Sequence, residues 1–300
     1  MKYRLDENNL EVLDRLYKDK DTGSRINGLV RLYKFDGASI SVWHTGTVLV
    51  QGKKAEIYDN ELQKHFSKEL TIVTNKKSYN KDDSLVPNQE FIIGTDEVGN
   101  GSFIGGMTAA AVYVGKGQAE KLREIGVADS KNISDKSIPT IAKQIMKICP
   151  FYVLSAYPDK YNNAIDKGYN QVSLKVALHN RCAYLLNKKY PNLDIRRFIV
   201  DGFTQPWNWD KYIKEESDVF PLNATLYTKA ESKYLAVAAA SILARYSFLL
   251  QIQELSARCG LDLHQGVTSN VKSDFKTLQS RGFDLGNFVK LHFKTYKEWL

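Results

Sequence analysis

Three cysteines, five histidines and no long unbroken apolar run narrow what this 300-residue chain can be. Cys149, Cys182 and Cys259 lie far apart and form no CxxC pair, which argues against a disulfide frame and a cysteine zinc site and for reduced thiols. His179 and His292 stand in no HxxxH spacing, so a histidine-held metal has no support. Nothing approaches the ~20 consecutive apolar residues of a membrane span. Residues 235–250 come nearest, yet Ser241 and Arg245 interrupt them. The first twenty residues are charged throughout and hold no apolar core of signal-peptide length. A cytoplasmic protein with no membrane partner is the expectation.

What is present is an ordinary globular composition, 43% hydrophobic and 25% charged, which excludes disorder of the whole chain. Three hundred residues can bury a substantial core in one large domain or two smaller ones. Lysine and arginine outnumber aspartate and glutamate 42 to 34, a formal charge of +8, which favours a polyanionic partner such as nucleic acid.

Residues 1–73 read as a small α+β unit: a helix over 9–17, strands over 28–34, 38–43 and 47–51 joined by glycine-containing turns, and a helix over 55–70 with Ile57, Leu62 and Phe66 inward. Tyr33, Lys34, Trp43, His44, Lys53 and Lys54 can form a face for stacking and phosphate contact, or Tyr33 and Trp43 can simply pack the core. Residues 74–89 are polar, charged and proline-containing, a linker pattern. From 90 to 300 strands and helices alternate. Strands are expected over 91–95, 107–114, 151–157 and 197–200, and helices over 118–125, after an N-cap at Ser134, over 169–188 and over 235–250. That alternation predicts a layered α/β domain around a central mixed sheet.

Residues 91–114 carry the chemistry. Asp96 and Glu97 follow an apolar run and precede the turn Gly99-Asn100-Gly101, after which a second apolar run begins. Adjacent like charges at a core edge are costly unless a cation compensates them, although an exposed acidic hairpin end would also read this way. Asp201 repeats the pattern after Phe198, Ile199 and Val200. Glu231 precedes an apolar helix, where capping and the helix dipole would equally favour an acid. Oxygen-only ligands imply a hard cation, Mg²⁺ or Mn²⁺, and clustered carboxylates in a basic α/β protein suit two-metal phosphoryl transfer. The glycines of the turn would let its backbone approach a phosphate or sugar.

GTDEVGNG, ADSKNIS at 128–134, LHN at 178–180, VDGF at 200–203 and AESKYLAVAAASILAR at 230–245 together resemble the type 2 ribonucleases H. GTVLVQGKKAE at 46–56 is similar to the TATA-binding-protein-like domain that precedes the nuclease domain in the ribonuclease HIII subfamily. The resemblance implies a monomeric endoribonuclease that cuts the RNA strand of RNA/DNA hybrids, leaving 5′-phosphate and 3′-hydroxyl ends. Its catalytic and metal-binding set would be Asp96, Glu97, Asp201 and Glu231 around two Mg²⁺ or Mn²⁺ ions. Substrate contacts would fall to Gly99, Asn100, Gly101, Ser130, Lys131 and Asn170. Asn100 stands where the sister ribonuclease HII has an arginine, which bears on recognition of a single embedded ribonucleotide. Asn170, Ser173 and His179 share one helix whose polar residues can face substrate, solvent or a cap, while Ala238, Ala239, Ala240 and Ser241 read as close packing. Two alternatives remain: cleavage at single ribonucleotides in duplex DNA, and a catalytically silent hybrid-binding protein.

Overall fold

The computed structural model describes residues 2–4, 7–23, 29–43, 47–66, 71–72, 85–86, 88–128 and 133–300. The chain divides into two compact units, Met1–Asp82 and Asp83–Leu300.

In the first unit, strands β1 (Lys2–Arg4), β2 (Leu29–Phe35), β3 (Ala38–Trp43), β4 (Thr47–Gln51) and β5 (Thr71–Ile72) form an antiparallel sheet in the order β2-β3-β4-β1-β5. Helices α1 (Glu7–Tyr17) and α2 (Ala55–His65) complete the unit. Alternation along β3 turns Ala38, Ile40 and Val42 inward, and Ile40 and Val42 join Leu13 and Tyr17 of α1 and Leu62 of α2 in one core cluster. Tyr33 is wholly buried here and donates its hydroxyl to Asp14 Oδ1 at 2.5 Å, so it is a core residue and no part of a stacking face. Ile57, expected inward, is exposed. The inward stripe of α2 is Tyr58 and Leu62, four residues apart, and Tyr58 stacks on Phe35 with centroids 4.1 Å apart. The turn at 44–46, with His44, and the expected end of α2 at 67–70 lie outside the described residues.

The second unit is built on β6 (Ile92–Val98), β7 (Met107–Val114), β8 (Phe151–Ala156), β9 (Arg197–Asp201) and β10 (Ala224–Tyr227), in the order β10-β9-β6-β7-β8. Strands β6, β7 and β8 pair antiparallel, whereas β9 runs parallel to β6 and β10 parallel to β9. Helices α3 (Gln118–Glu124), α4 (Ile138–Ile148) and the 25-residue α8 (Leu235–Cys259) cover one face. Helices α6 (Gln171–Lys189) and α7 (Pro206–Ile213) cover the other. β7 is buried along its whole length, as a strand between two helical layers must be. α8 is long and apolar enough to cross a membrane, but 67% of its apolar window is buried inside this fold, which makes it the core helix.

Helix α8 can approach the sheet because β6 carries Gly94 beneath it. A Cβ there would lie 2.3 Å from Val237 N, well inside van der Waals contact. α4 is N-capped by Ser137, not Ser134, and no side chain closes that cap. Leu85, Val86 and Gln89, assigned to the linker from composition, belong to the second unit. Val86 N–H donates to Lys233 O at 3.1 Å, and Gln89 ties Lys233 O to the amide of Leu235. Helices α5 (Pro158–Asp166), α9 (Ser269–Ser280) and α10 (Lys294–Trp299) complete the unit.

Candidate active site

β6 does not stop before its acids. It continues through Asp96 and Glu97 to Val98, so both carboxylates stand on a paired strand and not at a hairpin end. Successive residues of a strand point to opposite faces, and the two acids do. Asp96 turns toward α8, where Ser241 lies beside it and favours its charged form, and its Oδ1 accepts the Glu97 N–H at 2.7 Å. Ser241 therefore touches a carboxylate and is more than a small packing residue. Glu97 turns toward α6.

The parallel pairing of β6 with β9 matches Thr95 with Val200, so the next residue on each strand is an aspartate. Asp96 and Asp201 thus leave neighbouring strands at the same level. Asp201 Oδ1 accepts the Ala230 N–H at 2.7 Å, and the Glu231 carboxyl lies beside it. Glu231 sits on a 3₁₀ turn, Ala230–Ser232, between β10 and α8. The chain enters that turn through Lys229 at φ 58°, a left-handed conformation costly for a residue with a Cβ. Tyr234 holds the N-cap position of α8 without a side-chain bond, and Gln89 Oε1 accepts the Leu235 amide at 2.7 Å. Capping by Glu231 at that position does not occur.

Burial pushes the Asp96 carboxyl well above the ordinary carboxylate range, and the charges of Glu97 and Asp201 push the same way. Asp201 is raised to about 7, first by burial and then by the hydrogen bond and charge of Glu231. Glu97 behaves oppositely. Burial would raise it, but the hydrogen bonds and charges of His179 and Lys175 outweigh burial and hold it low. His179 Nε2 meets Glu97 Oε2 at 2.8 Å, and Lys175 Nζ meets Oε1 at 2.9 Å. Thr95 Oγ1 pairs with His179 Nδ1 at 2.8 Å, which fixes the imidazole in turn. Phe203, two residues beyond Asp201, stacks on the His179 ring and lies 4.0 Å beneath Lys175 Nζ.

Lys175 carries no signal in the sequence beyond its spacing of four from His179 on one helix, and His179, expected to face substrate, solvent or a cap, is instead buried against Glu97 and Thr95. Among the described residues no three His, Cys, Asp or Glu side chains close into a ready metal-ligand group. Both Glu97 oxygens are engaged by Lys175 and His179, and Glu231 lies close enough to Asp201 to push its carboxyl up.

The turn Gly99-Asn100-Gly101 follows β6 directly. Gly99 adopts φ 100°, and a Cβ on it would lie 2.6 Å from Gly106 O. Gly101 is different, being exposed with nothing within 4 Å of a Cβ. Asn170 is the N-cap of α6, its Oδ1 accepting from the Val172 and Ser173 amides and its Nδ2 donating to Tyr212 Oη. Ser173 closes that capping box, so both side chains are largely committed to the helix start. Asn170 also borders a cleft of ≈ 580 Å³ shared with Tyr169, Tyr212 and His292. Ser130 and Lys131 lie outside the described residues.

The family model for ribonuclease HII matches residues 93–296. Ribonuclease HIII of Bacillus cereus strain AH187 is 38% identical over 289 residues, covering 95% of this chain and 92% of that one. Ribonuclease HIII of Lactococcus lactis subsp. cremoris strain SK11 is 37% identical over 293 residues, covering 97% and 94%. Among solved structures, Bst-RNase HIII in complex with Mn²⁺ superposes with a TM-score of 0.69 at 30% identity, covering 100% of this chain and 98% of that one. Aquifex aeolicus RNase H3, at 20% identity and a TM-score of 0.56, shares the fold over 98% of this chain and 100% of its own.

Proposed function

The chain belongs to the ribonuclease HII family, and from that membership, with the full-length likeness to ribonuclease HIII, we propose that Asp96, Glu97, Asp201 and Glu231 are the catalytic carboxylates of a metal-dependent ribonuclease H. Its reaction is hydrolysis of the RNA strand of RNA/DNA hybrids to 5′-phosphate and 3′-hydroxyl ends. The observation that carries this reading is the pairing of Asp96 and Asp201 on adjacent parallel strands, each with its carboxyl pushed up by burial and then by its acidic neighbours.

The donor set fits hard divalent cations, Mg²⁺ or Mn²⁺, two per site. All its ligands are oxygens, and the Asp96 and Asp201 carboxyls hold protons more readily than isolated aspartates because they are buried and because negative charge is crowded around them. Held by Asp96, Glu97, Asp201 and Glu231, such cations would supply neutralisation of that charge, acidification of an attacking water and stabilisation of the leaving 3′-oxygen. The chain's own residues do the rest. Ser241 and the Glu97 amide orient Asp96, the Ala230 amide orients Asp201, and Lys175 with His179 fix the direction of Glu97. Discrimination for RNA rests on 2′-hydroxyls along one strand and on hybrid groove shape.

The substrate backbone approaches the Gly99-Asn100-Gly101 turn at Gly101, where an absent side chain serves no packing need of the protein itself. Asn170, Ser130 and Lys131 are further substrate contacts in this reading. Residues 1–73 add affinity through phosphate contacts that carry little sequence information. The three cysteines are buried free thiols, which suits the cytoplasm.

The test is hydrolysis of RNA/DNA, RNA/RNA and DNA/DNA duplexes, and of a DNA duplex with one ribonucleotide, each with Mg²⁺ and with Mn²⁺. Cleavage confined to the hybrid is expected. Preferred cleavage at the single ribonucleotide would replace this reading with that of the sister enzyme, and no cleavage in either metal would leave a silent binder. Removal of residues 1–73 is expected to raise KM on the hybrid much more than it lowers kcat.

A further inference from the structure

Lys290 is completely buried, and its side chain ends among backbone carbonyls. Nζ donates to Gly99 O at 2.9 Å, to Ser102 O, and to Gly105 O at 2.9 Å. An ammonium has three protons to donate, and these three acceptors use them all. The rings of Tyr161 and Phe293 flank it, with centroids 5.2 and 5.4 Å from Nζ. Burial pushes the amine down to about 7. Burying a cation this deeply costs more than an apolar side chain of similar size would, so something must be gained at its partners.

Those partners are the segment between β6 and β7. Lys290 N–H donates to Phe103 O at 3.0 Å, Gly105 N–H donates to Phe288 O at 2.9 Å, and Ile104 bridges Val289. The C-terminal stretch therefore lies along this segment as a short added strand, with Nζ reaching back under the turn. Gly99 O also accepts the Ser102 N–H at 3.1 Å, which closes the turn. In a trans peptide the carbonyl and the following N–H point in opposite directions. With Gly99 O drawn inward to Lys290, the Asn100 N–H points away from it, beside the exposed Gly101.

We propose that Lys290 is a positioning residue for the substrate: its ammonium pulls the turn carbonyls inward and so presents the Asn100 amide and the Gly101 backbone to the phosphates of the hybrid. The proposal rests on the reading of this turn as a substrate contact. Lys290 touches no reacting atom, and it acts through Gly99. A positive charge directly behind outward-facing amides strengthens the same anion site.

The experiment compares steady-state hydrolysis of an RNA/DNA hybrid by three variants of the full-length protein, with thermal midpoints recorded for each. Lys290→Met is expected to raise KM roughly tenfold, ~1.4 kcal/mol of binding, with kcat and the Mg²⁺ concentration for half activity within about twofold. Leu278→Ala, a buried residue of the same C-terminal cluster, controls for lost stability and is expected to leave KM unchanged. If Lys290→Met does not fold, Lys290→Gln, which keeps two donors, takes its place with the same expected KM rise. Gly101→Ala tests the turn independently, because its Cβ enters open space and leaves the thermal midpoint alone. A KM raised by Gly101→Ala but not by the Lys290 variant overturns the role of Lys290 alone. A KM unmoved by Gly101→Ala overturns the turn reading and this proposal with it. A KM rise equal in Leu278→Ala reduces Lys290 to a structural lysine.

Discussion

Glu97 and His179 meet across the α6 face of the sheet at 2.8 Å, and the same imidazole is held from behind by Thr95, two residues before Glu97 on the same strand. The helix and the strand thus fix each other at the carboxylate. With Lys175 on the second oxygen, Glu97 has one available direction. His179→Ala removes the orienting bond and leaves a buried carboxylate with one partner. Groups that orient metal ligands typically contribute ~10–100-fold to affinity or activity, so kcat is expected to fall within that range while half-saturation shifts to higher Mg²⁺. His179→Gln, which can still donate to Glu97, is expected to recover part of both. Unchanged metal titrations in His179→Ala would mean that Glu97 is oriented by something else.

Asp96→Asn separates stability from activity. Asp96 is 8% exposed and faces the charges of Glu97 and Asp201, so the chain maintains it against its own folding energy. An asparagine keeps the shape and the Ser241 contact and removes the repulsion. Cleavage of the hybrid is expected to fall by about 10³-fold or more, ~4 kcal/mol in the barrier, while hybrid affinity holds and the thermal midpoint rises. A drop in midpoint alongside intact activity would contradict the assignment of Asp96.

Stability should depend on pH with a sign set by Asp201. Its folded pKa, about 7, lies above the ordinary 3.8, so between roughly pH 4 and 7 the folded state binds more protons than the unfolded one. Stability therefore falls as pH rises through that window, and Asp96 adds the same sign. Glu97 acts oppositely: its contribution is present above 4.5 and is lost as acid drives pH below that value. In EDTA the midpoint is expected to decline from pH 5 to pH 8 by several degrees, on the order of 1–2 kcal/mol after allowance for solvent around Asp201. Added Mg²⁺ should restore it at pH 8 and change little at pH 5. Asp201→Asn should flatten the slope, and a flat slope in the unmodified protein would remove the crowding argument.

Much of the site was written in short-range pattern. The runs that end at Asp96 and Asp201 are strands that become neighbours, and their matching endings reflect a shared register. Period two along β6 also explains why adjacent acids face different helices. Other features depend on distance along the chain. Lys290 reaches Gly99 from 191 residues away, and nothing local to either residue signals it. Short elements were equally hidden: β10 has four residues, and α5 and α7 announce themselves only by Pro158 and Pro206 in their first turns. Tyr33 shows a different limit: an amphipathic side chain on a strand suits a surface or a core equally until the partner of its hydroxyl, Asp14, is known.

Gly94 links the packing of the fold to the chemistry. It lies two residues before Asp96 on the face toward α8, and a Cβ there would overlap Val237 N at 2.3 Å and the Ala236 carbonyl carbon at 2.4 Å. These obstacles are backbone atoms of the helix, so no side-chain rotation can relieve them. Gly94→Ala must lift the first turns of α8 from the sheet. Overpacking of this kind costs ~1–3 kcal/mol or more, and a markedly lower thermal midpoint is expected. Activity should fall further than stability alone explains, because Ser241 and Glu231 ride on the same helix and the turn that begins it. At a temperature where the variant is fully folded, kcat is expected to drop at least about tenfold, ~1.4 kcal/mol, and the Mg²⁺ requirement to rise. A variant that loses midpoint but keeps kcat and metal affinity would show that the spacing of α8 from β6 serves the core and not the carboxylates.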